Sequence, residues 1–225
     1  MRNLVPNMLT GSNLVLGMFG IIATLQGSFM TAALLIFAAM IADGLDGRVA
    51  RYMKISSDFG KELDSLCDLV SFGVAPALLA YMFMLQEFGM IGAVIAAAFA
   101  TCGALRLARF NVMAGVVKGY FMGLPIPAAG CAVATFVMVG LKPSGWLFPI
   151  MVAVFAYLMV STIKYPDFKG KGEKIRVIPA VLTIMLMVYI LVFSLNAVLF
   201  AGFFGYAVFG ILNTLFGLFE TKTSG

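Results

Sequence analysis

Long apolar runs separated by short polar segments make up most of the chain. Runs of about twenty residues predict membrane-spanning helices, because a helix rising 1.5 Å per residue needs that length to cross roughly 30 Å of hydrocarbon. Eight spans are predicted, at residues 8–25, 28–52, 58–85, 88–112, 123–141, 145–163, 176–194 and 197–217. The pattern predicts an all-α membrane helix bundle that forms one domain over residues 1–225.

The composition agrees with a multi-pass membrane protein. The chain is 62% hydrophobic and 11% charged and contains no histidine, which excludes a soluble globular domain and a histidine-based mechanism. Cys67, Cys102 and Cys131 lie in apolar runs without CxxC spacing, so neither a disulfide framework nor a zinc site is expected. A net charge of +5 would suit nucleic acid in a soluble protein, but here it reflects membrane topology, and no nucleic-acid partner is predicted.

The basic residues collect on one side of the predicted membrane. Lys142 alone lies on the other side. The first side carries Arg2, Arg48, Arg51, Lys54, Lys61, Arg106, Arg109, Lys118, Lys164, Lys169, Lys171, Lys174, Arg176 and Lys222. Because positive residues favour the cytoplasmic side, this asymmetry predicts a cell-membrane protein whose polar stretch between residues 43 and 68 faces the cytoplasm.

That polar stretch contains two helical faces. The first repeats at i, i+3, i+4, i+7 and i+8, the spacing of one face of an α-helix. Its members are Asp43, Asp46, Gly47, Ala50 and Arg51. The second repeats at i, i+4 and i+8, and its members are Gly60, Asp64 and Asp68. If the two helices lie antiparallel, the four aspartates can converge.

Four converging carboxylates predict a metal site, because they cannot all stay ionised in a low-dielectric site without cations. Oxygen ligands favour Mg²⁺ or Mn²⁺, and four aspartates suffice for two such ions. Gly47 and Gly60 leave room for a phosphate to approach, and Arg51 can donate to it. The pattern therefore predicts a two-metal phosphoryl-transfer site. The alternative is a structural role, in which the acids pair with nearby basic residues.

At these positions the sequence resembles the CDP-alcohol phosphotransferase family, whose pattern is DxxDGxxAR, eight or nine residues, then GxxxDxxxD. Every fixed position of the pattern is filled. The resemblance implies that Asp43, Asp46 and Asp64 hold the metals and that Asp68 is both a metal ligand and the general base. It also implies contacts with the CDP-lipid, for which the candidates are Gly47, Ala50, Arg51, Ser57, Gly60, Asn7 and Thr10. Asn7 and Thr10 would serve equally well as helix caps.

Two further segments resemble the phosphatidylserine synthase branch of the family, namely LRLARFN at 105–111 and GLPIPAAG at 123–130. This resemblance implies transfer of the phosphatidyl group from CDP-diacylglycerol to L-serine, with CMP released, by a homodimer surrounded by membrane lipids. Arg106 and Arg109 then become candidates for binding the serine carboxylate or a phosphate. Alternatively, both arginines are interface anchors that snorkel to the membrane surface.

Other functions remain open from the sequence alone. The same chemistry could use glycerol 3-phosphate, inositol phosphate or choline as acceptor, or an archaeal ether lipid as donor. A divalent-cation or proton-coupled transporter would also carry intramembrane acids. Against a transporter, the acids cluster at one face of the membrane, and no pair of broken helices marks two inverted halves.

Overall fold

The computed structural model describes residues 4–52, 57–113, 120–166, 176–194 and 197–223, without the side chains of 4–7, 50–52, 193 and 217–223. These residues form helices connected by short loops. In chain order the elements are α1 (Leu4–Leu25), α2 (Phe29–Tyr52), α3 (Asp58–Asp68), a π-helical segment (Leu69–Val74), α4 (Ala75–Phe83), a 3₁₀ turn (Leu85–Phe88), α5 (Gly89–Met113), β1 (Tyr120–Met122), α6 (Ile126–Val139), α7 (Leu147–Val160), β2 (Lys164–Pro166), α8 (Val177–Phe193) and α9 (Val198–Thr223).

Helix α6 lies at the centre of the bundle. Ile126, Val133 and a run of small residues between them are buried, so the helix is covered on all sides, as expected for an interior helix. It packs against α2, α4 and α9, while α1 pairs with α2, α5 with α7, and α8 with α9. The predicted all-α multi-pass membrane fold is confirmed.

Three predicted spans are shorter as helices than the sequence predicted. Five helices of the described chain are long and apolar enough to cross a membrane, but α6 and α7 have 14 residues each and α8 has 17. A 14-residue helix is only about 21 Å long. Helix α6 ends where Gly140 adopts a left-handed conformation with φ of 75°, and α7 ends at the extended Ser161.

A short antiparallel pair, β1 with β2, was not expected from the sequence. Phe121 pairs with Tyr165, and this pairing joins the segment before α6 to the segment after α7. Tyr165 is fully buried, and its hydroxyl donates to the carbonyl of Ala207 in α9. The pair therefore ties α6, α7 and α9 together at one end of the bundle.

Gly130 allows α6 to pack closely against the π-helical segment. A Cβ atom at this position would lie 2.6 Å from the carbonyl oxygen of Phe72, a backbone atom that cannot move alone. We expect Gly130→Ala to lower the free energy of unfolding by about 1–3 kcal/mol. Thermal melting in detergent measures the change. Gly11→Ala, where a Cβ meets nothing within 4 Å, is the control; equal melting temperatures for the two variants would contradict the prediction.

Candidate active site

Helices α2 and α3 present the acidic residues as the spacing predicted. Asp43, Asp46 and Gly47 lie on neighbouring turns of α2, and Asp64 and Asp68 lie one turn apart on α3. Ser57 fixes the start of α3, because its side-chain oxygen accepts a hydrogen bond of 3.0 Å from the amide of Gly60. The two helices thus bring their carboxylates to a common end of the bundle.

Three of the four carboxylates converge. One oxygen from each of Asp43, Asp64 and Asp68 lies within 4.8 Å of the others, and Asp68 is only 8% exposed. Among the described side chains, no lysine or arginine comes within 4 Å of these three groups. Uncompensated carboxylates this close together repel one another. Their oxygen atoms therefore fit a divalent cation that prefers carboxylate ligands.

Helix α1 supports the carboxylates from the side. Asp46 lies outside the group of three, and its carboxylate accepts a hydrogen bond of 2.7 Å from the hydroxyl of Thr10. Asn13, one turn further along α1, is fully buried and donates through Nδ2 to Oδ1 of Asp68 at 3.1 Å. Asn13 was not among the predicted site residues. Its spacing from Thr10 was the signal that could have linked it to the acidic site.

The backbone of α3 changes to π-helical geometry directly after Asp68. Ser71, in this segment, donates from Oγ to the carbonyl of Asn13 at 3.0 Å. Gly17 makes the approach possible, because a Cβ at Gly17 would overlap Ser71. Single π turns within helices are frequent at functional sites. Here the hydrogen bond from Ser71 joins the π-helical segment to α1, close to the Asp68 carboxylate that accepts a hydrogen bond from Asn13.

A cavity of about 360 Å³ opens beside the carboxylates. Its lining residues are Asp58, Lys61, Glu62, Asp64, Ser65, Asp68, Arg106, Leu107, Phe110 and Asn111. Arg106 is only 6% exposed, and its guanidinium lies 5.2 Å from the ring centre of Phe110. No acceptor in the described part of the chain reaches its buried Nε atom. The cavity therefore joins two of the three converging carboxylates, Asp64 and Asp68, to a buried cation with unused hydrogen-bonding capacity.

Arg109, predicted together with Arg106 as a ligand for the serine carboxylate or a phosphate, contacts backbone carbonyls in the structure. Its guanidinium donates to four backbone carbonyls at 2.9–3.2 Å. Three of them, at Met159, Val160 and Ser161, belong to the end of α7, where a helix leaves carbonyls without intrahelical partners. The fourth belongs to Met122 in β1. Arg109 does not line the cavity and instead joins α5 to α7 and β1.

The other predicted CDP contacts differ in how far the structure describes them. A Cβ at Gly47 would meet nothing within 4 Å, so the space expected beside this glycine exists. Gly60 and Ser57 form the cap of α3. The side chains of Asn7, Ala50 and Arg51 lie outside the described residues, so their contacts with the CDP-lipid stay predictions.

Comparison with known proteins confirms the family. The chain belongs to the CDP-alcohol phosphatidyltransferase family, whose model matches residues 3–163. Membership makes it a transferase.

Several relatives carry the name CDP-diacylglycerol–serine O-phosphatidyltransferase. That of Helicobacter pylori strain 26695 is 39% identical over 220 residues, which cover 95% of this chain and 92% of the relative. That of Bacillus subtilis is 40% identical over 167 residues, 74% of this chain and 92% of the relative. An archaetidylserine synthase from Methanothermobacter thermautotrophicus is 40% identical over 170 residues, 75% of this chain and 72% of the relative.

Proposed function

We propose that this protein transfers the phosphatidyl group from CDP-diacylglycerol to L-serine, releasing CMP, as a step of phospholipid biosynthesis. The names of the relatives support the reaction. The observation that carries it is the convergence of Asp43, Asp64 and Asp68 beside a cavity containing Arg106. Such a site provides both a place for metal-bound pyrophosphate and a cation for the acceptor.

The acidic residues would hold two divalent cations, Mg²⁺ or Mn²⁺. Asp43, Asp64 and Asp68 supply the converging oxygens, and Asp46, positioned by Thr10, supplies a fourth carboxylate nearby. When bound, such cations neutralise charge on the pyrophosphate and on the departing CMP. The family's use of divalent metals supports this assignment.

Asp68 acts as the general base. Its carboxylate takes the proton of the serine hydroxyl while that oxygen attacks the lipid-side phosphorus, and the bond from this phosphorus to CMP breaks. The hydrogen bond from Asn13 fixes the orientation of Asp68. Because a carboxylate is a weak base toward an alcohol, positioning of the two reactants must contribute much of the rate.

Arg106 binds the carboxylate of serine by hydrogen bonds from its buried guanidinium. The cavity suits a zwitterion, since its wall carries basic Lys61 and Arg106 together with acidic Glu62 and Asp58. A phosphorylated acceptor such as glycerol 3-phosphate or inositol phosphate would need a denser basic wall. Choline would favour an aromatic cage.

The nucleotide and lipid of the donor lie against α1, α2 and the start of α3. The proposed contacts are Asn7, Thr10, Gly47, Ala50, Arg51, Ser57 and Gly60. Open space beside Gly47 supports the approach of the donor to α2. The archaeal relative leaves an ether lipid as an alternative donor. The homodimer and the surrounding membrane lipids remain part of the same proposal.

We also propose that the site faces the cytoplasm at the cell membrane. In the described residues, Lys142 lies over the ring of Phe83, at the end of α4 far from the acidic site. We expect a membrane-impermeant thiol reagent applied to whole cells to label a Lys142→Cys variant that lacks the native cysteines. Labelling only after the cells are broken would contradict the orientation.

CMP release by purified protein in detergent tests the reaction. CDP-diacylglycerol is supplied with Mn²⁺ or Mg²⁺, and serine, glycerol 3-phosphate, inositol phosphate and choline are offered separately, with and without a chelator. We expect release that requires serine and disappears with the chelator. Release with another acceptor alone would change the proposed substrate. A folded protein that releases no CMP but conducts ions in liposomes would favour the transporter.

A further inference from the structure

Asn111 lies on the cavity wall, and its side chain is held by α3. Its Nδ2 atom donates to Oγ of Ser65 at 3.0 Å, and Oγ of Ser65 donates to the carbonyl of Lys61 at 3.1 Å. Ser65, Asn111, Arg106 and Asp68 all line the same cavity. The hydrogen bonds therefore form a chain from the backbone of α3 to the amide of Asn111.

The protons in this chain determine which way the amide faces. A serine hydroxyl has one proton, and Ser65 uses it on the carbonyl of Lys61. Its oxygen must therefore accept from Asn111, so the nitrogen of the amide faces Ser65. The amide oxygen consequently turns away from Ser65, and no donor in the described part of the chain bonds to it, while Asn111 itself lines the cavity.

We propose that Oδ1 of Asn111 accepts a hydrogen bond from the ammonium group of the acceptor substrate and so selects an amino acid over an acceptor that has only hydroxyl and carboxylate groups. The inference rests on the proposed function and adds a specificity-determining residue to it. Arg106 supplies donors for the carboxylate and Asp68 accepts the hydroxyl proton. Asn111 adds a neutral acceptor for the ammonium, held in a fixed orientation beside the acidic side chains of the cavity wall.

Steady-state kinetics of CMP release test the role of Asn111. The KM for L-serine is measured beside the inhibition constant of 3-hydroxypropionate, which is serine without its ammonium. We expect Asn111→Ala to raise the serine KM on the order of tenfold, because a hydrogen bond to a charged group is lost. The inhibition constant of 3-hydroxypropionate and the KM for CDP-diacylglycerol should stay within about twofold of wild type.

Three further variants separate binding from structure. Asn111→Asp keeps an acceptor at the wall, so its serine KM should be nearer to wild type than that of Asn111→Ala. Ser65→Ala leaves Asn111 in place without its fixed orientation and should raise the serine KM severalfold, even if Asn111→Ala does not fold. Val112→Ala, at an adjacent residue that is 83% exposed and does not line the cavity, should match wild type.

The two proposals fail in different ways. Wild-type protein that releases no CMP in response to serine would overturn the proposed function, and the inference with it. If CMP release by the wild-type protein requires serine, the proposed function stands. The role of Asn111 is then overturned if Asn111→Ala and Ser65→Ala both keep the wild-type KM for serine. It is also overturned if these variants raise the KM for serine, the inhibition constant of 3-hydroxypropionate and the KM for CDP-diacylglycerol by the same factor.

Discussion

Asp68→Asn is expected to lower the rate of CMP release by about a thousandfold, the contribution typical of a positioned general base. An amide cannot take the hydroxyl proton, and it is a poorer metal ligand than a carboxylate. The change keeps the shape of the side chain, and the new amide oxygen can still accept from Asn13. The loss should therefore be catalytic and leave the fold intact.

Single-turnover CMP release measures this loss, and thermal melting with and without Mn²⁺ shows its origin. Wild-type protein should melt at a higher temperature when Mn²⁺ is added, because the ion binds the folded state. Asp43→Asn and Asp64→Asn should reduce that increase together with activity. Glu87→Gln, in the 3₁₀ turn before α5, is the control and should behave as wild type. Activity of Asp68→Asn within tenfold of wild type would exclude it as the base.

The acidic site could be predicted from the sequence because helical periodicity converts spacing directly into a shared face. Asp43 and Asp46 had to lie on one stripe, and so did Asp64 and Asp68. The spacing could not show that the Asp46 carboxylate accepts a hydrogen bond from Thr10 while the carboxylates of Asp43, Asp64 and Asp68 converge. That division depends on where α1 packs, which is a tertiary contact.

The arginines show why residue type alone does not predict a role. Arg106 and Arg109 lie one turn apart in the same helix, and nothing in the sequence distinguishes their roles. The structure does, because α7 ends beside Arg109 and presents its free carbonyls there. The early end of α7 and the β1–β2 pair have only weak local signals, so the sequence could not predict this contact.

Arg106→Gln is expected to raise the KM for serine by about a hundredfold, because a charged, forked donor to a carboxylate is replaced by a neutral one. The KM for CDP-diacylglycerol should change little. The melting temperature should not fall, because the variant removes a buried charge whose Nε has no acceptor in the described chain. Kinetics with each substrate varied in turn, beside thermal melting, measure these effects.

Arg109→Gln, one turn later in α5, should have the opposite effects: it should lower stability and leave the KM for serine nearly unchanged. Arg109→Gln leaves several carbonyls at the end of α7 and in β1 without their donor, at a cost of about 1–3 kcal/mol for each one that stays buried. Its melting temperature should fall, while the protein that remains folded keeps a near-normal serine KM. Arg109→Lys should fall between wild type and Gln, since an ammonium retains some of the donors. If Arg109→Gln instead raised the serine KM without loss of stability, Arg109 would be a substrate ligand after all, and the carbonyl contacts would not describe its role in the working enzyme.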